Sequence, residues 1–324
     1  MRRMALIAER GDMTGIWIAI NCIVVLLLFW LLVSVLVFCM VALRIPIKEP
    51  EPEQFERLKN YGDTIRDGVK WLLDRQPEEV EITSYDGLKL RGLFLQREDA
   101  RCTAILMHGY RSDYLSAFAG LYELLYESGC NLLVPWQRAH GKSEGKIICM
   151  GLKEKRDCAD WARYIEARLG SEMPIVLHGT SMGSATVFMA AGEKLPKNVR
   201  GMVADCGFTS PWDEYVHLLK TRLHLPACPL IQSVNLMSRL VAGLDFRGCP
   251  GEDALRASKL PLLLIHGEED NFVPPEFSRR AFSASAAEDK ELLIVPGANH
   301  GVSYYANPKL CGERIKAFYD RVLG

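Results

Sequence analysis

The stretch that decides the fold is Pro174-Ile175-Val176-Leu177-His178-Gly179-Thr180-Ser181-Met182-Gly183-Ser184-Ala185. Pro174 to Leu177 is a short apolar run of the kind a buried parallel strand shows. A helical pattern follows from Ser184 to Gly192. Between them stands Gly179-Thr180-Ser181-Met182-Gly183, a G-x-S-x-G. The pattern alone is weak, because glycine and serine are common. Its strand-turn-helix setting is what a nucleophile elbow requires. Such a turn holds the serine in strained geometry, the glycines avoid side-chain collisions, and the helix start favours developing negative charge. The competing reading is a glycine-rich turn with an idle serine.

Outward from this turn an alternation of strands and helices appears. Val80 to Thr83 and Lys89 to Leu95 flank the turn signal Tyr85-Asp86-Gly87 and read as an antiparallel hairpin. Strands are expected at Thr103 to Met107, Asn131 to Pro135, Val199 to Ala204, Leu262 to His266 and Leu292 to Val295. Helices are expected at Leu115 to Ser128, Glu154 to Leu169 and Pro308 to Leu323. This rhythm implies an α/β fold: a mostly parallel sheet covered by helices on both faces. Gly207 to Lys259 breaks the rhythm and reads as a small helical lid between two strands.

A serine hydroxyl is a poor nucleophile without a base. Pro296-Gly297-Ala298-Asn299-His300-Gly301 follows a strand, so His300 lies beyond a carboxyl end, where sites on open α/β sheets gather. The third member should be a carboxylate. In His266-Gly267-Glu268-Glu269-Asp270-Asn271-Phe272-Val273-Pro274, Asp270 occupies the acid position of an H-G-x-x-D-x-x-V-P pattern. Asp205, at the end of another strand, is the alternative. The chain order Ser181, Asp270, His300 is that of α/β-hydrolases, and differs from those of chymotrypsin and subtilisin. An oxyanion hole needs two backbone N–H donors. Met182, after the nucleophile, supplies one, and Tyr110, in His108-Gly109-Tyr110 after the Thr103 to Met107 strand, the other. The Tyr110 phenol either shapes an acyl pocket or packs towards solvent. His108, His140 and His266 read as structural hydrogen-bonding groups.

With these motifs the chain, from about Glu79 to Gly324, resembles membrane-anchored bacterial α/β-hydrolases of the Bem46-like, dienelactone-hydrolase-like and prolyl-oligopeptidase-like group. Gln137-Arg138-Ala139-His140-Gly141-Lys142-Ser143-Glu144-Gly145 and Ala204-Asp205-Cys206-Gly207-Phe208-Thr209-Ser210-Pro211 resemble stretches of one bacterial subgroup. Trp136 stands where that pattern usually has aspartate. The resemblance implies hydrolysis of esters, amides or thioesters with no metal or organic cofactor. The leading reading is a carboxylic-ester hydrolase acting on a small or lipophilic acyl substrate. Amide or peptide hydrolysis by the same triad, and a non-catalytic membrane-held binding module, are the alternatives.

Met13 to Leu43 holds no charged residue and exceeds the roughly 20 residues that cross a bilayer. It is too long for a signal-peptide core and lacks a small-x-small site. The expectation is one uncleaved transmembrane anchor, removable without loss of activity. Arg2, Arg3 and Arg10 before it, against Arg44 and Lys48 after it, lean only slightly towards a cytoplasmic N-terminus and an extracytoplasmic body. The expected organisation is a tail (1–12), the anchor (13–43), a linker with an amphipathic helix (44–78), and an α/β-hydrolase domain (79–324) with its lid at 207–259. Pro46 to Pro52 reads as the stiff linker and Glu53 to Arg75 as the helix. A net charge of -1 gives no sign of a nucleic-acid partner. The ten cysteines form no C-x-x-C pair and no metal-ligand spacing, so buried free thiols are expected.

Overall fold

The computed structural model describes residues 2–44, 58–112, 115–247 and 251–324. The linker at Pro46 to Pro52 and the start of the amphipathic helix lie outside the described residues. In chain order the elements are α1 (Arg2–Ala42), α2 (Gly62–Asp74), β1 (Glu78–Thr83), β2 (Lys89–Leu95), β3 (Cys102–Met107), α3 (Tyr122–Glu127), β4 (Cys130–Pro135), α4 (Glu154–Leu169) and β5 (Ile175–Thr180). Then come α5 (Met182–Ala190), β6 (Val199–Asp205), α6 (Pro211–Thr221), α7 (Leu230–Ala242), α8 (Gly251–Ala257), β7 (Leu262–Gly267), α9 (Glu276–Ala284), β8 (Lys290–Val295), α10 (Ser303–Ala306) and α11 (Pro308–Leu323).

The eight strands form one sheet in the order β1-β2-β4-β3-β5-β6-β7-β8. β1 and β2 join antiparallel, and every pairing from β4 to β8 is parallel. All side chains of β3, β4 and β7 are buried, because helices cover both faces. One face carries α2, α3 and α11 through Ile65, Leu72, Tyr122, Ile315 and Phe318. The other carries α4, α5, α8 and α9 through Trp161, Ile165, Phe188, Leu255 and Ala281. β1, at the edge, exposes glutamates at 78, 79 and 81, charges that discourage pairing with a foreign strand.

Four expectations need revision. The Leu115 to Ser128 helix divides into a 3₁₀ turn at Ser116–Phe118 and α3. Gly120 interrupts it, its Cα packed so closely on the Tyr304 ring that a Cβ would stand 2.8 Å away. α9 was not expected at all: its buried side is Phe277, Ser278 and Ala281, and the buried serine hides the apolar period. The lid is smaller than 207–259, since α8 buries Ala254 and Leu255 against the body. The anchor is not a separate tether. α1 is continuous to Ala42, and Ser34, Phe38 and Ala42 are buried against the lid.

α1 is the one helix among the described residues long and apolar enough to cross a membrane, over Gly15–Ala42. Its end is secured by hydrogen bonds. The Ile148 N–H donates to the Ala42 carbonyl and the Arg44 N–H to that of Lys146, both at 2.8 Å. The Ser34 and Ser233 hydroxyls, on α1 and α7, lie 2.8 Å apart.

The turn between β5 and α5 is tightly packed against backbone. A Cβ on Gly183 would stand 1.8 Å from the Met107 carbonyl oxygen, and one on Gly179 2.4 Å from the Gly183 carbonyl. Both obstacles are backbone, so no side chain can move aside. Gly183→Ala is expected to cost about 3 kcal/mol, at the upper end of ordinary overpacking. A thermal melt of the purified variant checks this, and an unchanged midpoint would contradict the packing described.

Candidate active site

Ser181 sits between β5 and α5 with φ 54° and ψ −118°. Such geometry is strained for a residue with a Cβ and is kept only where its surroundings enforce it. Here the Ser181 N–H donates to the Asp205 carbonyl at 2.9 Å, which ties the turn to the end of β6. The hydroxyl consequently projects from the carboxyl end of the sheet. His300 follows β8, and its Nε2 lies 2.9 Å from Ser181 Oγ. The other ring nitrogen, Nδ1, lies 2.7 Å from Asp270 Oδ2. Asp270 stands in the loop after β7, and its second oxygen, Oδ1, accepts the N–H groups of Phe272 and Val273 at 2.9 Å each. The structure thus brings together Ser181, Asp270 and His300 in one hydrogen-bonded row.

Burial alone would raise the Asp270 carboxyl, but hydrogen bonds from His266 and His300 outweigh it and hold the carboxyl well below its ordinary value. A carboxylate that accepts several N–H bonds is stabilised in its charged form. Asp270 therefore remains anionic in neutral solution and accepts from Nδ1, leaving the lone pair on Nε2 facing the serine. His266 supports this arrangement. Its Nε2 lies 2.8 Å from the Val273 carbonyl, which can only accept, so Nε2 carries the proton. Its Nδ1 can then accept from the Ser278 hydroxyl at 2.6 Å.

Asp205 is placed differently. Its Oδ1 accepts from the Ser303 hydroxyl at 2.8 Å. Burial pushes its carboxyl up to about 6. Its backbone carbonyl also accepts from the Ser184 hydroxyl at 2.6 Å, so Asp205 braces the serine turn and α10. The segment that follows β6 is held by the Thr209 hydroxyl, which donates to Glu252 at 3.0 Å.

Met182 and Tyr110 belong to the two segments that run beside the serine. Met182 is the first residue of α5, where a helix N–H has no partner within the helix. The loop after β3 runs beside Ser181: a Cβ on Gly109 would lie 3.3 Å from the serine Cβ. That loop is held by two buried histidines. The Gln137 N–H donates to His108 Nε2 at 3.0 Å, and the Arg111 N–H to His140 Nε2 at 3.1 Å. Each ring then donates from Nδ1 to a backbone carbonyl, of Gly109 and of Arg138. Burial lowers His108 to about 4 and His140 to about 3, so both stay neutral and keep these tautomers. Trp136, in place of the aspartate of the related pattern, packs on Gly141, and Arg138 pairs instead with Asp157 at 2.6 Å and Asp86 at 2.9 Å.

Cys206 Sγ lies within 4.8 Å of the nearest Asp270 and His300 ligand atoms, the one such cluster among the described residues. Burial raises its thiol well above the ordinary value, and a metal ligand would have to be thiolate. The His300 nitrogens are moreover engaged with Asp270 and Ser181. This donor set does not suit a metal. The nine described cysteines are free, six of them buried.

Sequence reasoning missed the apolar side of the site. A cavity of about 260 Å³ touches Ser181 and is lined by Val37, Met40 and Val41 of α1, by Leu219 of the lid and by Phe272. The Tyr110 phenol also lines it and donates to the Val41 carbonyl at 2.8 Å. The signal present in the sequence was Ser34, a polar interruption four residues before Phe38 and eight before Ala42, which marks a helix face that meets protein.

Comparison with known proteins agrees with this architecture. A family model described as alpha/beta hydrolase fold matches residues 105–227, and one described as serine aminopeptidase matches residues 251–304. The uncharacterized protein YqkD of Bacillus subtilis is 24% identical over 82% of this chain and 86% of its own length. A monoacylglycerol lipase of Mycolicibacterium smegmatis is 23% identical over 68% of this chain and 88% of its own. The structure of a Pyrococcus furiosus esterase superposes with a TM-score of 0.65 at 27% identity, over 78% of this chain and 94% of the esterase. The chain has the α/β-hydrolase fold.

Proposed function

We propose that the protein is a serine hydrolase that cleaves carboxylic esters, held at a membrane by α1 with its body on the extracytoplasmic side. The observation that carries the reading is the His300 ring, 2.9 Å from a serine hydroxyl on one side and 2.7 Å from a charged carboxylate on the other. Ser181 Oγ attacks the ester carbonyl carbon while its proton passes to His300 Nε2. The electron pair of the carbonyl π bond moves to oxygen, and the Met182 and Tyr110 N–H groups receive that oxyanion. Asp270 stabilises the imidazolium. Collapse of the intermediate breaks the bond to the alcohol, which leaves with the proton from Nε2. Water then adds to the acyl-enzyme by the same route in reverse and releases the acid.

The lining of the cavity favours esters over peptides. Burial pushes its single carboxyl, Glu214, well above the ordinary value and so disfavours the negative charge that would receive a peptide amino terminus. The similarity to an esterase and to a monoacylglycerol lipase supports the same choice. A fluorophosphonate probe on the full chain, with panels of p-nitrophenyl esters and amino-acid anilides, tests it. Labelling with ester turnover is expected. Anilide turnover in excess of ester turnover would favour an amide hydrolase, and no labelling would favour a binding module.

The membrane assignment rests on a 28-residue, largely apolar stretch of one helix, Gly15–Ala42. Full-length protein is expected to stay with membranes through an alkaline carbonate wash and to enter solution with detergent, at full chain mass. Recovery in the carbonate supernatant, or a chain shortened behind the apolar segment, would exclude an anchor.

A further inference from the structure

The cavity beside Ser181 joins parts of the chain far apart in sequence: the end of α1, the lid helices α6 and α7, and the loop after β7. Its walls are almost wholly apolar. Glu214, the one carboxyl in the lining, has no hydrogen-bond partner for either oxygen, and burial disfavours its charged form. Arg222, the one cation of the lining, is exposed. A cavity of this kind suits a hydrocarbon chain, because a polar group set against most of its wall would lose water without gaining a partner, the Glu214 carboxyl and the Tyr215 hydroxyl being the exceptions.

The α1 wall is built in. The Arg111 guanidinium donates to the carbonyls of Met40 at 2.6 Å and Leu43 at 2.9 Å, and the Tyr110 phenol to that of Val41. These are carbonyls that a helix C-terminus leaves without partners. Donors from the loop that also flanks Ser181 thus fix the helix end at the site. Earlier in α1 the side chains are exposed and apolar, as at Leu26, Leu27 and Phe29. Helix α7, packed on α1, continues this surface with Leu236, Leu240 and Val241, the last two 70% and 62% exposed. A surface of that sort beside a spanning helix lies in the membrane interface. The cavity therefore lies between the serine and the bilayer.

We propose that the end of α1 forms one wall of an acyl-chain site, that the substrates are long-chain acyl esters taken from the bilayer, and that Val37, Met40 and Val41 set the chain-length preference. This rests on the ester-hydrolase reading with Ser181 as nucleophile. The ester carbonyl sits at Ser181 and the chain extends between α1 and the lid, so it moves from lipid to protein without crossing water.

The test uses the full chain in detergent micelles with p-nitrophenyl acetate and p-nitrophenyl dodecanoate. Met40→Trp narrows the cavity, which Met40 lines while 54% exposed, and is expected to lower the dodecanoate-to-acetate ratio of kcat/KM by about tenfold, as excluding roughly two methylenes would. Leu28→Trp, on the exposed side of the same helix, is expected to leave the ratio as in the wild type. Should Met40→Trp fold poorly, Met40→Ala enlarges the cavity and is expected to shift preference towards hexadecanoate over dodecanoate. Ratios unchanged in the Met40 variants, with fluorophosphonate labelling intact, overturn the inference and leave the Ser181 reading standing. A wild-type protein that neither labels nor cleaves either ester overturns both.

Discussion

Ser181→Ala is expected to abolish fluorophosphonate labelling and to lower ester turnover by about 10⁴–10⁶, the range seen when a triad nucleophile is removed. The size follows from what disappears. Without Oγ no acyl-enzyme forms, and any remaining hydrolysis must use water in the oxyanion site with His300 as base. The fold should survive. The hydroxyl meets the His300 ring, while the turn itself is held by backbone, through the Ser181 N–H on the Asp205 carbonyl and the close approach of Gly183 to Met107. Alanine keeps the Cβ, so the cost of φ 54° is already present in the wild type. A melting temperature close to wild type with labelling lost is the expected pair of results. Labelling at the wild-type rate would remove Ser181 as nucleophile, and loss of both labelling and fold would mean that the hydroxyl supports the turn.

Much of this architecture was readable from short-range patterns. The Glu154–Leu169 helix and the Pro308–Leu323 helix emerge at their expected bounds, because each buries a clear stripe and the second also begins at a sharp signal. Pro308 at the first helical position after the capping Asn307 is such a signal. The elbow was readable because close backbone approach leaves glycine no alternative at Gly179 and Gly183. Contacts between distant segments were not readable. Met13 to Leu43 is apolar on every side, so hydropathy cannot distinguish the lipid-facing side from the part of the helix that meets the lid. Only pairings such as Ser34 with Ser233 make the distinction, and they join residues 199 apart in the chain. Asp270 carried a local signal in the His266 to Pro274 pattern, whereas Asp205, at the end of β6, was separated from it only by the geometry around His300.

That choice is where Asp270→Asn should be decisive. We expect it to lower kcat by about 10⁴, through the wrong histidine tautomer. The neighbouring backbone dictates the orientation of the new amide. The N–H groups of Phe272 and Val273 both point at Oδ1, and an amide NH₂ there would set donors against donors. The asparagine must therefore turn its carbonyl oxygen to these two groups and its NH₂ to His300 Nδ1. Nδ1 then accepts, the ring proton moves to Nε2, and Nε2 can no longer take the proton of Ser181. Folding should be much less affected, because the two backbone bonds remain. Asp205→Asn behaves differently. Its Oδ1 accepts from the Ser303 hydroxyl, and asparagine offers a carbonyl oxygen for the same bond. The wild-type carboxyl is already shifted towards the neutral form, to about 6, so the amide replaces a group whose charge burial disfavours. Asp205→Asn is expected to change kcat by less than about tenfold and to act on the melting temperature instead. Measuring kcat and melting for both variants separates the roles. Near-normal turnover in Asp270→Asn with collapse in Asp205→Asn would transfer the acid to Asp205. Collapse in both without unfolding would mean that the Asp205 brace of the elbow is itself needed to align Ser181 with His300.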